Sequence, residues 1–291
     1  MKKPSPTRTL RLGTRGSPLA LWQAGWVARE LESANPGLSI EIVEVRTLAE
    51  EFPERAVAEI GSGVFTKELD EALLRGDIGM AVHSLKDVPS EMPSGLIIAA
   101  VPERESPFDA FVSTGGVSLA GLPRGARIGT GSPRRKAQLL HWRPDLEVVP
   151  LRGNVATRIR KAGELGLAGT ILAEAGLRRL GEEGCIQEVI GPEVMVPAVS
   201  QGALALVVRE DDDWTAELAS SLGHTSSHIR VYAERAFLRT LRGGCQAPAG
   251  ALATISQEER LEIEGVIAAP DGSTHVRGRI EGLPEDAPTL G

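Results

Sequence analysis

Apolar and polar positions alternate over residues 9–14, and the period then lengthens to helical spacing at Leu19, Leu21, Trp22, Trp26, Val27 and Leu31. A strand followed by a helix is expected, with Ser17 as N-cap and Pro18 at the first helical position. Residues 39–47 read as a second strand, and residues 48–63, acidic and without periodicity, as a loop. Phe65, Leu69, Ala72 and Leu73 form one helix face, residues 77–85 a buried strand and residues 95–101 another. The proline-bounded segment 102–107 reads as a crossing between domains.

The same punctuation then recurs. Residues 126–129 predict a strand entering Thr130-Gly131-Ser132-Pro133 and a helix through Leu140, which repeats the Gly-Thr turn and Ser-Pro helix start of residues 13–18. Residues 146–152 lead through Gly153-Asn154 into a helix, residues 169–173 form a strand, and residues 174–180 a helix carrying Arg178 and Arg179. After an interruption at residues 197–202 come a strand (203–209), a short helix capped by the aspartates at 211–213, and a longer helix from Ser226 with Ile229, Tyr232, Ala236, Phe237 and Leu241 inward. Strands at 251–256, 260–269 and 275–280 follow, and residues 284–287 resemble the beginning of a helix.

Repeated strand–turn–helix units predict two α/β lobes around a cleft, with a small α+β C-terminal domain of antiparallel strands. The expected boundaries are residues 1–102 with 203–222 for the first lobe, 108–196 for the second and 225–291 for the third domain. A length of 291 residues with 42% apolar content is enough for such cores, and 33 glycines and 19 prolines suit many short elements better than a helical bundle.

Charge changes the picture more than composition does. The net charge is -7, yet residues 124–161 hold ten Lys or Arg against Asp145 and Glu147, a local +8 inside a remainder of -15. A compact basic segment predicts a local anion site rather than a nucleic-acid face, and an aromatic fraction of 3% leaves few platforms for stacking bases. Each Ser-Pro turn aims free helix N–H groups and a hydroxyl at one spot, joined by Arg15 in the first case and by Arg134 and Arg135 in the second. Ser84, Lys86 and Asp87 fall beyond the carboxyl end of a strand, where open α/β sheets gather functional groups.

Two cysteines sixty positions apart, without C-x-x-C or a Cys/His cluster, fit a reducing cytoplasm and argue against zinc. His224 and His228 have the i, i+4 spacing of metal ligands but no third partner in view. No apolar run is long enough for a membrane span. Cys245 follows a helix pattern and two glycines that free the backbone. Locally it fits a small buried hydrophobe as well as an exposed nucleophile, and a preceding helix C-terminus disfavours thiolate, with Arg242 the nearby offset. On these residues alone, a non-catalytic two-lobed binding or sensor module for a small carboxylate stays open beside an enzyme.

The motifs TRGSPLALWQA, FTKELDEALL, AVHSLKDVP, GTGSPRRKAQL, LRGNVATR, ILAEAGLRRLG, PAVSQGA, AERAFLRTLRGGCQAP and APDGS, in this order, resemble the porphobilinogen deaminase (hydroxymethylbilane synthase) family of tetrapyrrole biosynthesis. The resemblance spans residues 10–287. It implies two periplasmic-binding-protein-like lobes and a third domain whose Cys245 carries a dipyrromethane cofactor through a thioether. It also implies head-to-tail condensation of four porphobilinogen molecules with loss of ammonia, then hydrolytic release of 1-hydroxymethylbilane. Asp87 matches the catalytic carboxylate, stabilising a cationic azafulvenium electrostatically and relaying protons.

The resemblance assigns Ser84, Lys86, Asp87, Thr130, Gly131, Ser132, Arg134, Arg135 and Arg158 to the cofactor. It assigns Arg15, Ser17, Arg152, Arg179 and Gln201 to the substrate, whose acetate and propionate suit arginine. A cytoplasmic monomer without nucleic-acid, membrane or metal partners is expected. One departure stands out: the family's Gly-Gly-Lys-Gly-Leu-Phe run is here Glu59-Ile60-Gly61-Ser62-Gly63-Val64-Phe65, without its lysine and without another lysine a few residues earlier.

Overall fold

A computed structural model describes residues 8–46, 65–241 and 248–291. The sequence-predicted loop at 48–63 and the cysteine at 245 lie outside them, as does Arg242. The described residues form three sheets and fall into two compact units, Met1–Arg104 with Ala203–His228, and Glu105–Gly202 with Ile229–Gly291.

The first unit holds β1 (Arg8–Thr14), β2 (Leu38–Glu44), β3 (Met80–Ser84), β4 (Leu96–Ala100) and β10 (Leu204–Arg209) in the order β2-β1-β3-β10-β4. β1 runs parallel to β2 and β3, and β10 returns antiparallel between β3 and β4. The helix α1 (Pro18–Ala34) lays Ala24, Val27, Ala28 and Leu31 against Leu10, Leu12, Met80, Val82, Leu206 and Val208, the core of this unit. Burial of such side chains stabilises the layer by roughly 1.5–3 kcal/mol each. Helix α2 (Lys67–Leu74) buries Leu69, Ala72 and Leu73 as its spacing requires, while Phe65 precedes it.

The second unit repeats the scheme with β5 (Asp109–Ser113), β6 (Arg127–Gly129), β7 (Glu147–Val149), β8 (Gly169–Ala173) and β9 (Glu188–Ile190), ordered β7-β6-β8-β5-β9. Helices α3 (Pro133–Trp142), α4 (Val155–Glu164) and α5 (Glu174–Arg179) connect them. β5 and β9 are absent from the sequence expectation. β5 is a five-residue run with no alternation because both of its faces are covered: Ala110 and Val112 pack with Leu172 and Leu177, and Phe111 packs with Ile128 and Ile171.

A three-stranded antiparallel sheet completes this unit: β11 (Ala249–Ile255), β12 (Leu261–Ala268) and β13 (His275–Gly282). In chain order, α6 (Asp213–Ser220) belongs to the first unit, α7 (Thr225–Thr240) lies largely in the second and α8 (Ala287–Leu290) is its last element. On α7, Val231, Ala233, Glu234, Arg235 and Ala236 are buried, and Ile229, Tyr232 and Phe237 are half-buried. The expected apolar stripe does face inward at Ala236, which is buried, at Ile229, which packs on the cluster of Ala233, Leu261 and Ile263, and at Phe237, whose ring lies against Gly265. The buried face also takes in Glu234. Its carboxylate accepts the backbone N–H of Ser200 at 2.6 Å and of Ala253 at 2.9 Å, tying the helix to segment 197–202 and to β11. A carboxylate with no solvent exposure is tolerated where backbone donors satisfy it.

Candidate functional site

In the first unit, β1 ends on Thr14, whose hydroxyl donates to the carbonyl of Ala20 at 3.1 Å and so folds the turn back onto α1. Ser17 caps α1 with extended backbone angles, its Oγ accepting the N–H of Ala20 at 3.4 Å, and Pro18 takes the first helical position. The turn leaves Arg15 with its guanidinium carbon 4.6 Å from the centre of the Phe65 ring, a cation–π arrangement. β3 delivers the opposite wall. Ser84 accepts from Gln23 Nε2 at 3.0 Å, and the single 3-10 turn Leu85–Asp87 that follows places Lys86 and Asp87, both half-buried.

Arg15, Ser17, Gln23, His83, Ser84 and Asp87 line one concavity. A cation, two hydroxyls, an amide and a carboxylate thus converge there. His83 is fully buried, and its Nε2 has no hydrogen-bond partner among the described residues. Burial, helped by the charge of Arg15, lowers its pKa to about 4, so a neutral imidazole faces this site near neutral pH.

The second unit builds its counterpart at the β6–α3 turn. Ser132 caps α3 by accepting the N–H of Arg135 at 3.4 Å, Pro133 follows, and Thr130 Oγ1 accepts the N–H of Ser132 at 3.2 Å. The likeness of the two turns is thus one of structure as well as of sequence. A third strand–helix turn uses Asn154, which caps α4 through the N–H of Thr157 at 2.8 Å. Arg152 is exposed just before it, and Arg158 is half-buried with its Nε donating to the carbonyl of Gly153 at 2.6 Å.

Arg134 and Arg135 do not lie on a solvated helix face. Each is 5% exposed, and both turn inward onto Asp109 at the head of β5. Arg134 Nη2 lies 2.8 Å from Oδ2, while Arg135 places Nη2 at 2.8 Å and Nε at 2.9 Å from Oδ1. Arg134 also donates to the carbonyl of Val196 at 2.8 Å, and Arg135 to that of Ile171 at 2.9 Å.

Gln201 joins the same carboxylate, its Nε2 reaching Oδ1 at 3.0 Å and the carbonyl of Pro107 at 2.8 Å. Complete burial pushes the Asp109 carboxyl up, but the guanidiniums of Arg134 and Arg135, with the Gln201 amide, outweigh that and hold it at about 2. Arg179 donates to the carbonyl of Gly202 at 2.7 Å, and burial lowers its pKa to about 10 against the charge of Glu105.

Sequence reasoning named three members of this second group and missed the residue that gathers them. Asp109 looks like a turn residue before an apolar run, and its signal is visible only when two adjacent arginines lack another buried acid. His83 and Gln23 were missed because each sits within a hydrophobic stretch that reads as core. His224, one of the spaced histidine pair, has its Nδ1 2.8 Å from Ser227 Oγ.

The profile described as "Porphobilinogen deaminase, dipyromethane cofactor binding domain" matches residues 10–217, and "Porphobilinogen deaminase, C-terminal domain" matches residues 228–291. A porphobilinogen deaminase of Pelotomaculum thermopropionicum is 50% identical over 285 residues, 98% of this chain and 91% of that protein. One from Syntrophotalea carbinolica is 50% identical over 92% of this chain and 85% of that protein. A solved TRAP periplasmic solute binding protein from Pseudomonas putida F1, with bound D-glucuronate, covers 81% of this chain and 82% of its own at 12% identity and a TM-score of 0.42.

Proposed function

The chain belongs to the porphobilinogen deaminase family, and from that premise we propose which of its residues carry the chemistry. The activity is hydroxymethylbilane synthesis, a transferase reaction of porphyrin and heme biosynthesis that uses a dipyrromethane cofactor. It joins four porphobilinogen units head to tail with release of ammonia.

A dipyrromethane bears carboxylates, so the residues that hold it must offer a surplus of positive charge and oriented N–H donors. The second-unit group meets that test: two buried guanidiniums share one buried carboxylate, which leaves one positive charge over, beside the capped N-terminus of α3. That surplus is the observation on which the residue assignment rests.

Arg134, Arg135, Arg158, Thr130, Gly131 and Ser132 bind the cofactor's carboxylates, together with Ser84 and Lys86 of the first unit. When bound, the cofactor supplies the pyrrole carbon to which the first substrate is joined. Cys245 is its attachment point through a thioether. Cys185, the other cysteine, suits this role less, because burial and the neighbouring Glu182 carboxylate raise its thiol pKa.

Arg15, Ser17, Arg152, Arg179 and Gln201 bind the acetate and propionate of incoming porphobilinogen. Asp87 is the catalytic residue. Its carboxylate stabilises positive charge that develops on the substrate pyrrole as ammonia leaves, and it accepts and returns a proton at the carboxylate oxygens. Gln23 holds Ser84 by hydrogen bond, which fixes the end of β3 from which Asp87 projects.

The proposal extends to organisation. Residues 1–102 with 203–222, 108–196 and 225–291 are taken as three domains, a division supported by one sheet in each. The chain is taken to work as a cytoplasmic monomer, and two cysteines sixty positions apart without a C-x-x-C pair suit a reducing compartment. Among the described residues, no helix is long and apolar enough to cross a membrane.

The test is incubation of purified protein and of Asp87→Asn with porphobilinogen. Product that oxidises to uroporphyrin from the first and not the second supports the proposal. Binding without turnover by the unsubstituted protein contradicts it.

A further inference from the structure

The Asp109 cluster does more than neutralise charge. Three of the residues given above to cofactor or substrate are held by it, and a fourth by the neighbouring segment. Arg134 forms an ion pair with Oδ2, Arg135 and Gln201 bond Oδ1, and the carbonyl of Gly202, next in the chain after Gln201, receives Arg179. Asp109 itself has no solvent exposure and stands at the first residue of β5, opposite Ala173 of β8 in the sheet register. The acceptor is therefore fixed by backbone pairing while the donors come from a helix and a connecting segment.

Each guanidinium is also pinned by a carbonyl, Arg134 by Val196 and Arg135 by Ile171. An arginine held at two points by buried, rigid acceptors cannot sample the many rotamers of a surface arginine. It presents its remaining N–H edge in one direction, and the ordering entropy is spent on folding rather than on binding. Two arginines without the acid would repel each other inside a low-dielectric interior, and the helix start that carries them would be driven outward.

We propose that Asp109 is the positioning residue of the anion site: it orients Arg134 and Arg135 toward a ligand carboxylate, sets their combined charge to one positive, and anchors the 201–202 segment that receives Arg179. The inference rests on the proposed function, because it takes those arginines as carboxylate binders. Asp109 acts through them and does not touch ligand.

The test compares unsubstituted protein, Asp109→Asn and Asp109→Glu, all full-length. Folded fractions are selected by circular dichroism and by a single elution peak. Intact mass then measures the share of molecules carrying a covalent two-pyrrole adduct, and steady-state kinetics, normalised to loaded enzyme, separates KM from kcat. In Asp109→Asn, adduct loading is expected to fall by at least about tenfold, and in Asp109→Glu loading is expected to persist while KM rises by about tenfold at near-constant kcat, as a displacement of the order of 1 Å implies.

Folded Asp109→Asn with normal loading and normal KM overturns the inference. If Asp109→Asn gives no folded protein, Asp109→Glu decides alone: a raised KM supports positioning, and an unchanged KM overturns it. A missing adduct and missing turnover in the unsubstituted protein would instead strike the proposed function itself, so the two failures are distinguishable.

Discussion

Asp109 Oδ1 accepts Arg135 Nε at 2.9 Å while lying 2.8 Å from Nη2 of the same guanidinium, so one buried carboxylate oxygen holds one edge of the arginine. Arg134 reaches the other oxygen through Nη2 alone. Two neighbouring arginines on one helix turn therefore have unequal roles. Arg135 engages all three nitrogens once, on Asp109 and Ile171, and keeps one N–H on each Nη, whereas Arg134 engages two of its nitrogens, on Asp109 and Val196.

That inequality can be measured. Arg135→Leu removes the two contacts to Oδ1 of a buried carboxylate and is expected to lower stability by about 3–5 kcal/mol. Arg134→Leu removes the contact to Oδ2 and the larger of the two compensating charge interactions, and is expected to cost a similar amount while reducing adduct loading more per unit of stability lost. Urea unfolding monitored by circular dichroism, paired with intact mass, checks both.

Asp87→Asn keeps the size of the side chain and removes the charge. Folding should be unaltered, since Asp87 is half-buried at the end of a single 3-10 turn and not in a core. Turnover of porphobilinogen is expected to fall by at least about 10²-fold, the scale of a lost acid–base or electrostatic contribution. Near-normal turnover in a loaded enzyme would remove its assigned role.

Stability should respond to pH in two windows. His83 has its folded pKa depressed to about 4, below the ordinary 6.5, so the unfolded chain takes up the proton first. Stability is fully present above about 6.5 and falls as pH drops toward 4, by an amount on the order of 3 kcal/mol. Asp109, depressed to about 2, contributes stability that is present above about 4 and lost as pH falls through 2, on the order of 2–3 kcal/mol. Burial raises the Asp70 carboxyl to about 6, which gives an opposing slope below that pH. Denaturant melts between pH 7.5 and 4.5 therefore compare the unsubstituted protein with His83→Asn, whose stability should fall less on acidification.

Gly202 has φ of +86°, and a Cβ there would fall on the carbonyl oxygens of Glu105 and Ser106. Gly202→Ala is expected to cost more than about 2 kcal/mol, because both the backbone conformation and the space are denied to an alanine. It should also raise KM, since the Gly202 carbonyl that receives Arg179 must shift. Thermal unfolding and steady-state kinetics on the same preparation check the pair of effects.

The local grammar of the chain was largely legible. Ser17-Pro18 and Ser132-Pro133 announce their helix starts because capping is a matter of a few adjacent residues, and both caps form. β8 runs over the five residues expected, where a short apolar run is bounded by glycine and glutamate. What escaped was non-local. β5 hides behind a proline-rich segment, and its burial on both faces erases the alternation that marks a strand.

Asp109 escaped for the same reason: its partners are 25, 26 and 92 positions away, and only the sheet brings them together. The apolar members of the inward face of α7, Ile229, Ala236 and Phe237, were legible, but a buried acid among them was not, because a charged side chain carries no mark of a core position. Glu234 is such an acid, satisfied by Ser200 and Ala253 rather than by solvent. The candidate site was readable as arginines and hydroxyl residues gathered at strand–helix turns. Its division into Arg134 and Arg135 held from within and Arg15 placed over Phe65 needed coordinates.

The most direct test of the central claim is the intact mass of the purified full chain, followed by peptide mapping. The unsubstituted protein is expected to exceed its sequence mass by one two-pyrrole adduct located on the peptide containing Cys245, and Cys245→Ser is expected to show neither adduct nor turnover. A preparation that converts porphobilinogen to product while Cys245 carries no modification would contradict the claim.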